Sequence, residues 1–223
     1  MISKISKIQA QNTPNSTTII NASLPVIIKV IEKTGYNRYN LKFGSKFLST
    51  KSQRDLEVGG EYFANISSQS GGVININGLI KRQSYHYLED GASLVEYLLT
   101  NGDLDLFAKE IKNRLARAKN STDFSIYTSM ILALESGIIS VPFLYENRYA
   151  LIEIKLGDPL ELYLLFDNFA PFKALISEGK FIKITTPYKS FSSAFYNIFG
   201  CNCEVGNVEP FWQQKENFLD FRG

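Results

Sequence analysis

The sequence predicts an α+β protein: an N-terminal five-stranded antiparallel β-barrel of OB-like type, a helical linker, and a C-terminal β-meander with packed helices. Three observations carry this reading. Short apolar runs alternate at period two between glycine turns from Leu24 to Arg82; apolar residues then recur at spacings of three and four; and from Ile138 the period returns to two. The implied divisions are an arm at 1–23, the barrel at 24–83, the helical linker region at 84–122 and an α+β domain at 123–223.

In chain order, residues 1–23 alternate Ser, Lys, Ile, Gln, Asn and Thr around Pro14, with too little apolar surface to pack alone. A mobile arm is expected there, with Thr17 to Ile20 suited to adding a strand. Strands are expected at Pro25 to Ile31, Tyr39 to Phe43, Lys46 to Thr50, Glu61 to Ile66 and Val73 to Ile76. Their turns fall at Gly35 with Asn37, Gly44-Ser45, Gly59-Gly60 and Gly71-Gly72. Val26, Ile28 and Val30, and again Tyr39, Leu41 and Phe43, give each strand one apolar face, as a sheet closing over its own core requires.

A helix is expected from Ala92 to Leu99 after the Asp90-Gly91 break. Asp103 then caps a second, amphipathic helix on Leu104, Phe107, Ala108, Ile111 and Leu115. A third opens at Ser121 to Asp123 and ends at Gly137. The meander follows at Ile138 to Tyr145, Arg148 to Leu156, Leu160 to Asp167, Phe172 to Ser177 and Lys180 to Thr185. A helix after Pro187 ends at Gly200, and Cys201 to Val208 reads as an edge strand. The tail holds Phe211, Trp212, Phe218, Leu219 and Phe221. Burial is worth roughly 1.5 to 3 kcal/mol for each such side chain, so the tail is expected to dock on its own protein or on a partner.

The net charge of +2 conceals an asymmetry: up to Gln83 there are eleven Lys or Arg against four Asp or Glu, and beyond it thirteen against eighteen. The front is basic and the back acidic. No apolar run approaches the roughly 20 residues that span a bilayer, and the first residues lack the apolar core of a secretory signal. A cytoplasmic setting is expected, which the two closely spaced cysteines, Cys201 and Cys203, also suit.

Catalytic chemistry has few candidates. His86, the only histidine, lies between Tyr85 and Tyr87 with no nucleophile motif beside it, so a hydrolase centred there is a third-ranked reading. Cys201 and Cys203 supply two of the four ligands a tetrahedral zinc site needs. No metal, cofactor or catalytic residue is assigned, and a small-molecule ligand is not expected.

Binding accounts for more of the residues. Tyr39, Lys42, Lys46 and Phe47 place cations beside rings, the combination with which OB-like barrels hold single-stranded nucleic acid. Inward-facing alternate rings and ordinary solubilising lysines on edge strands are the preferred reading of the same positions. Protein docking is the leading reading, through Lys51 and Arg54 on the barrel rim and Phe211, Trp212 and Phe218 in the tail.

The segment Met130-Ile131-Leu132-Ala133-Leu134-Glu135-Ser136-Gly137-Ile138-Ile139-Ser140-Val141-Pro142-Phe143-Leu144-Tyr145 resembles the point in flagellar hook-length control proteins where a helix ends and a strand enters the C-terminal sheet. The meander, the helix from Tyr188 to Phe199 and the short strand after it are similar to that family's core. Leu56-Glu57-Val58-Gly59-Gly60-Glu61-Tyr62 resembles the small barrel found ahead of it. The resemblance implies a cytoplasmic protein that contacts the flagellar type III export apparatus. Two departures narrow it to an adaptor or regulator: only some twenty front residues look extensible, and Asp167-Asn168-Phe169-Ala170-Pro171 stands where the family carries Pro-x-Leu-Gly.

Overall fold

The computed structural model describes residues 5–9, 17–21, 25–68, 74–82 and 86–213. The chain forms two compact units, one of Met1–Ser84 with Tyr188–Ala194 and the other of Tyr85–Pro187 with Phe195–Gly223. No helix among the described residues is long and apolar enough to cross a membrane.

The first unit begins with an antiparallel pair, β1 (Ile5–Gln9) and β2 (Thr17–Asn21). Its main sheet contains β3 (Val26–Gly35), β4 (Arg38–Phe43), β5 (Lys46–Lys51), β6 (Glu61–Ser68) and β7 (Ile74–Lys81) in the order β5-β4-β3-β6-β7. Asn37 and Gly44 take the left-handed conformation in the two tight turns, at φ 54° and 56°. The expected turn at Gly71-Gly72 lies outside the described residues.

The expected closed OB-like barrel is corrected here: the sheet is open, because β5 and β7 are its two edges and do not pair with each other. Alternation at period two demands a covered face but does not say what covers it. The inner face carries Ile28, Val30, Tyr39, Leu41, Tyr62 and Ala64, and part of its cover is the 52–60 loop, which delivers Leu56 into the same cluster. Two tyrosine hydroxyls pin that loop. Tyr39 Oη donates to Asp55 Oδ1 at 2.9 Å and accepts from Leu56 N at 3.3 Å, while Tyr62 Oη accepts from Glu57 N at 3.0 Å. Gly59 N and Gly60 O complete the attachment through bonds to Val30.

The second unit starts with α1 (Gly91–Asn101), α2 (Leu104–Ala116) and α3 (Ser121–Glu135). Asp103 caps α2, accepting from the main-chain N–H groups of Asp105 and Leu106, and Asn120 caps α3, accepting from that of Asp123. A six-stranded sheet follows: β8 (Ile138–Tyr145), β9 (Arg148–Lys155), β10 (Leu160–Phe166), β11 (Phe169–Ser177), β12 (Lys180–Thr186) and β13 (Asn202–Val205), in the order β13-β12-β11-β10-β9-β8. α4 (Lys189–Phe199) connects β12 to β13, which run parallel, as a strand–helix–strand crossover permits.

One face of this sheet lies against the helices. Ile139, Val141, Ile152 and Ile154 share a core with Leu94, Leu98, Phe107, Ile111, Ile126 and Met130. Thus α1 and α2, in the stretch read from sequence as a helical linker region, share one core with α3, β8 and β9. Arg114 ties α2 to the start of α1, bonding to Asp90 at 2.7 Å and to Ser93 Oγ at 3.1 Å. Phe195 of α4 meets Phe172 and Phe169.

Gly91, read from sequence as a helix break, is required for close approach. A Cβ there would sit 2.7 Å from the Pro142 carbonyl oxygen and 2.8 Å from Phe143 Cβ. Gly91→Ala is expected to lower unfolding free energy by about 1–3 kcal/mol through overpacking, read as an earlier urea midpoint with an unchanged slope.

Candidate interaction surfaces

Two places gather the residues that sequence reasoning singled out. The first is the outward face of β4 and β5, whose register sets Lys42 opposite Phe47 and Arg38 opposite Lys51. Arg38, Lys42 and Lys51 are exposed and make no ion pair among the described residues. Directly opposed like charges are destabilising, and Arg38 and Lys51 stand opposite each other. Phe47 is 61% exposed beside Lys42, and Tyr36 stands 91% exposed in the β3–β4 turn.

Arg54 is exposed in the 52–60 loop, where Ser52 Oγ bonds to its main-chain N at 3.1 Å and O at 2.6 Å. Lys46 is half-buried. Tyr39 differs from its neighbours: its ring is fully buried, and its hydroxyl is committed to the loop. Of the rings on β4 and β5, Tyr39 is buried, Phe43 half-buried and Phe47 exposed. Nearby carboxylates are already engaged, Glu32 by Asn40, Asp55 by Lys33 and Glu61 by Arg82.

The second place is on the sheet of the other unit. Strand register lines up Ser140, Glu153, Tyr163, Lys173, Thr185 and Glu204 in one row across all six strands, on the face away from α1–α3. The segment after β13 crosses that face as a strap. Val208 packs with Leu151, Tyr163 and Leu165; the Phe211 ring meets Tyr163 edge-on; and the Lys173 ammonium sits 4.4 Å from the centroid of Phe211.

Glu153 holds the strap. Only 1% exposed, its carboxylate accepts from Ser140 Oγ at 3.1 Å, from the main-chain N–H of Phe211, and from that of Trp212 at 3.2 Å. The Trp212 indole N–H donates to Ser129 Oγ of α3 at 2.9 Å. Phe211 and Trp212 are thus docked on their own chain, and Phe218 lies outside the described residues. Sequence reasoning missed Glu153. The available signal was a carboxylate in phase with Leu151 inside the apolar run Tyr149 to Lys155.

His86 is exposed. Cys201 and Cys203 are free thiols whose sulfurs lie 3.9 Å apart, and burial first, then the Cys201 thiol, pushes Cys203 up to about 11. Cys203 therefore rests in the protonated, poorly nucleophilic form at neutral pH. No group of three or more His, Cys, Asp or Glu positioned for a metal ion occurs among the described residues.

No family model matches the chain, and neither does any curated protein or solved structure.

Burial raises the Glu153 pKa above the usual carboxylate value, outweighing the N–H groups of Trp212 and Phe211, the Ser140 hydroxyl and the charge of Lys173, which pull it down. The native state then binds the proton more tightly than the unfolded chain. Its contribution to stability is complete below the unfolded value and is lost as pH rises through the raised native one. Glu153→Gln is expected to flatten that slope in urea titrations run across the acid-to-neutral range. Glu153→Ala, which orphans two main-chain donors, should cost roughly 1.5–3 kcal/mol at acid pH and less as pH rises, and shift Trp212 fluorescence toward that of a solvated indole.

Proposed function

We propose that this chain is a non-enzymatic protein-binding module, an adaptor or regulator, that docks its partner on the outward margin of the N-terminal sheet. The observation that carries the reading is the Arg38–Lys51 row with Lys42 and Phe47 beside it: cations without carboxylate partners around an exposed ring, on a sheet whose edge strand is unpaired. Hydrophobic area at Phe47 and Tyr36 supplies contact, and the cations supply orientation and encounter rate. A single-stranded nucleic acid would also meet those cations. It gains affinity from successive stacked bases, however, and burial of Tyr39 removes one of the two rings that such a path would use.

The resemblance around Met130 to Tyr145 supports a setting in the cytoplasm among components of a flagellar type III export apparatus. The proposal of a protein partner stands independently of that setting.

The test is affinity capture with the full chain from extracts of the cells that make it, comparing wild type with a Phe47→Ser, Lys51→Glu variant. Both positions are exposed, so circular dichroism should be unchanged. A protein partner retained after nuclease treatment by wild type and depleted at least several-fold by the variant is the expected result. Capture abolished by nuclease, with an affinity falling about 0.7 log unit per contact against log salt, would make the partner nucleic acid. Capture equal for wild type and variant would remove this surface from the function.

A further inference from the structure

The open edge of β5 has a chemistry that names its occupant more closely, and the argument rests on the reading above that this margin docks protein. In an antiparallel pair, residues whose main-chain groups face the neighbour alternate with residues whose groups face away. Ser52 N donates to Asn37 O at 2.9 Å, and the register runs from Arg38 opposite Lys51 to Phe43 opposite Lys46. Ser52, Thr50, Leu48 and Lys46 therefore turn their N–H and C=O toward β4. Phe47, Ser49 and Lys51 turn theirs to the open side, where no strand pairs with β5 among the described residues. The Lys51 carbonyl takes only a long 3.4 Å bond from Thr50 Oγ1.

The same three residues carry their side chains on the outward face. Phe47 lies in the row of Lys42, and Lys51 lies in the row of Arg38. The edge thus offers alternating main-chain donors and acceptors, with a ring at one end and two unpaired cations at the other.

We propose that β5 takes an extended acidic peptide segment of a partner protein as an additional antiparallel strand. Residues of that segment opposite Lys51, Ser49 and Phe47 form its hydrogen-bonded pairs and share their face. Read from its N-terminus, the segment places Asp or Glu against Lys51 and Arg38, a small or hydroxylated residue against Ser49 two positions on, and an aromatic or β-branched residue against Phe47 two positions further. The intervening residues face the other side, toward Thr50 and Leu48, and are apolar. Main-chain bonds supply affinity and the alternate side chains supply selectivity.

The experiment uses the full chain and a short fluorescein-labelled peptide with Glu-Val-Thr-Val-Phe at its centre, flanked by glycine and serine, read by anisotropy. Lysine in place of the glutamate should weaken binding roughly threefold to tenfold, and Lys51→Glu in the protein should restore the lysine peptide. Methylating the main-chain nitrogen of the central threonine, which faces β5, should abolish binding, whereas methylating that of either valine should not. Ser49→Pro, which removes a donor on the open side and none from β4, should abolish it as well.

Equal binding of all the methylated peptides would overturn strand addition while leaving protein docking at this margin intact. No binding of the peptide, by a protein whose captured partner is still lost in the Phe47→Ser, Lys51→Glu variant, would overturn the inference in the same way. A labelled single-stranded oligonucleotide that binds and displaces the peptide would overturn both readings.

Discussion

The hydroxyl of Tyr39 decides the architecture of the N-terminal unit. Buried near the start of β4, it joins the Asp55 carboxylate to the Leu56 amide and so fixes the 52–60 loop over the apolar face of the sheet. A loop that delivers Leu56 to that core supplies cover which a closed barrel would obtain by joining its first and last strands. β5 and β7 stay apart as the two edges of the sheet. An unpaired edge and a solvated outward face are the consequences, and the proposed docking rests on both. Exposed edges invite uncontrolled pairing, and lysines along them are the usual protection. The exposed Lys51 fits that role.

The C-terminal sheet meets the same requirement differently. Its helix-side face is covered by α1, α2 and α3, and its other face by a strap of the chain itself. A carboxylate buried without partners would be costly. The Ser140 hydroxyl and two successive main-chain amides converge on Glu153, offsetting part of that cost while the carboxyl group anchors the strap. The aromatic residues of the tail that are described are therefore accounted for within this unit, with Trp212 reaching Ser129.

Much of the secondary structure was legible in the sequence, because its punctuation has local causes. Asp103 caps α2 through its own side chain; Gly137 and Gly200 end helices at positive φ, and Gly44 turns a hairpin in the same region. Strand pairing in the meander follows from hairpin turns too short to permit another order. Closure was not legible, since an open sheet and a barrel write the same alternation and differ only in what lies over the apolar face. Register was equally hidden. That Arg38 stands opposite Lys51, or that Glu153 lies in one row with Ser140, Tyr163 and Lys173, depends on pairings that no single strand reveals. Tyr39 stands in sequence both as an inward ring, the preferred reading, and as a stacking ring, because a tyrosine at period two is ambiguous between the two; its burial agrees with the first. Its partners, Asp55 and Leu56, lie in a different segment.

The most direct measurement is residue-resolved amide hydrogen exchange in the unliganded protein, restricted to β5 and the residue after it. An open edge requires the amides of Phe47, Ser49 and Lys51 to exchange fast, with Leu48, Thr50 and Ser52 protected by their bonds to β4. Equal protection of all six would mean that the edge is already occupied, and would contradict the account.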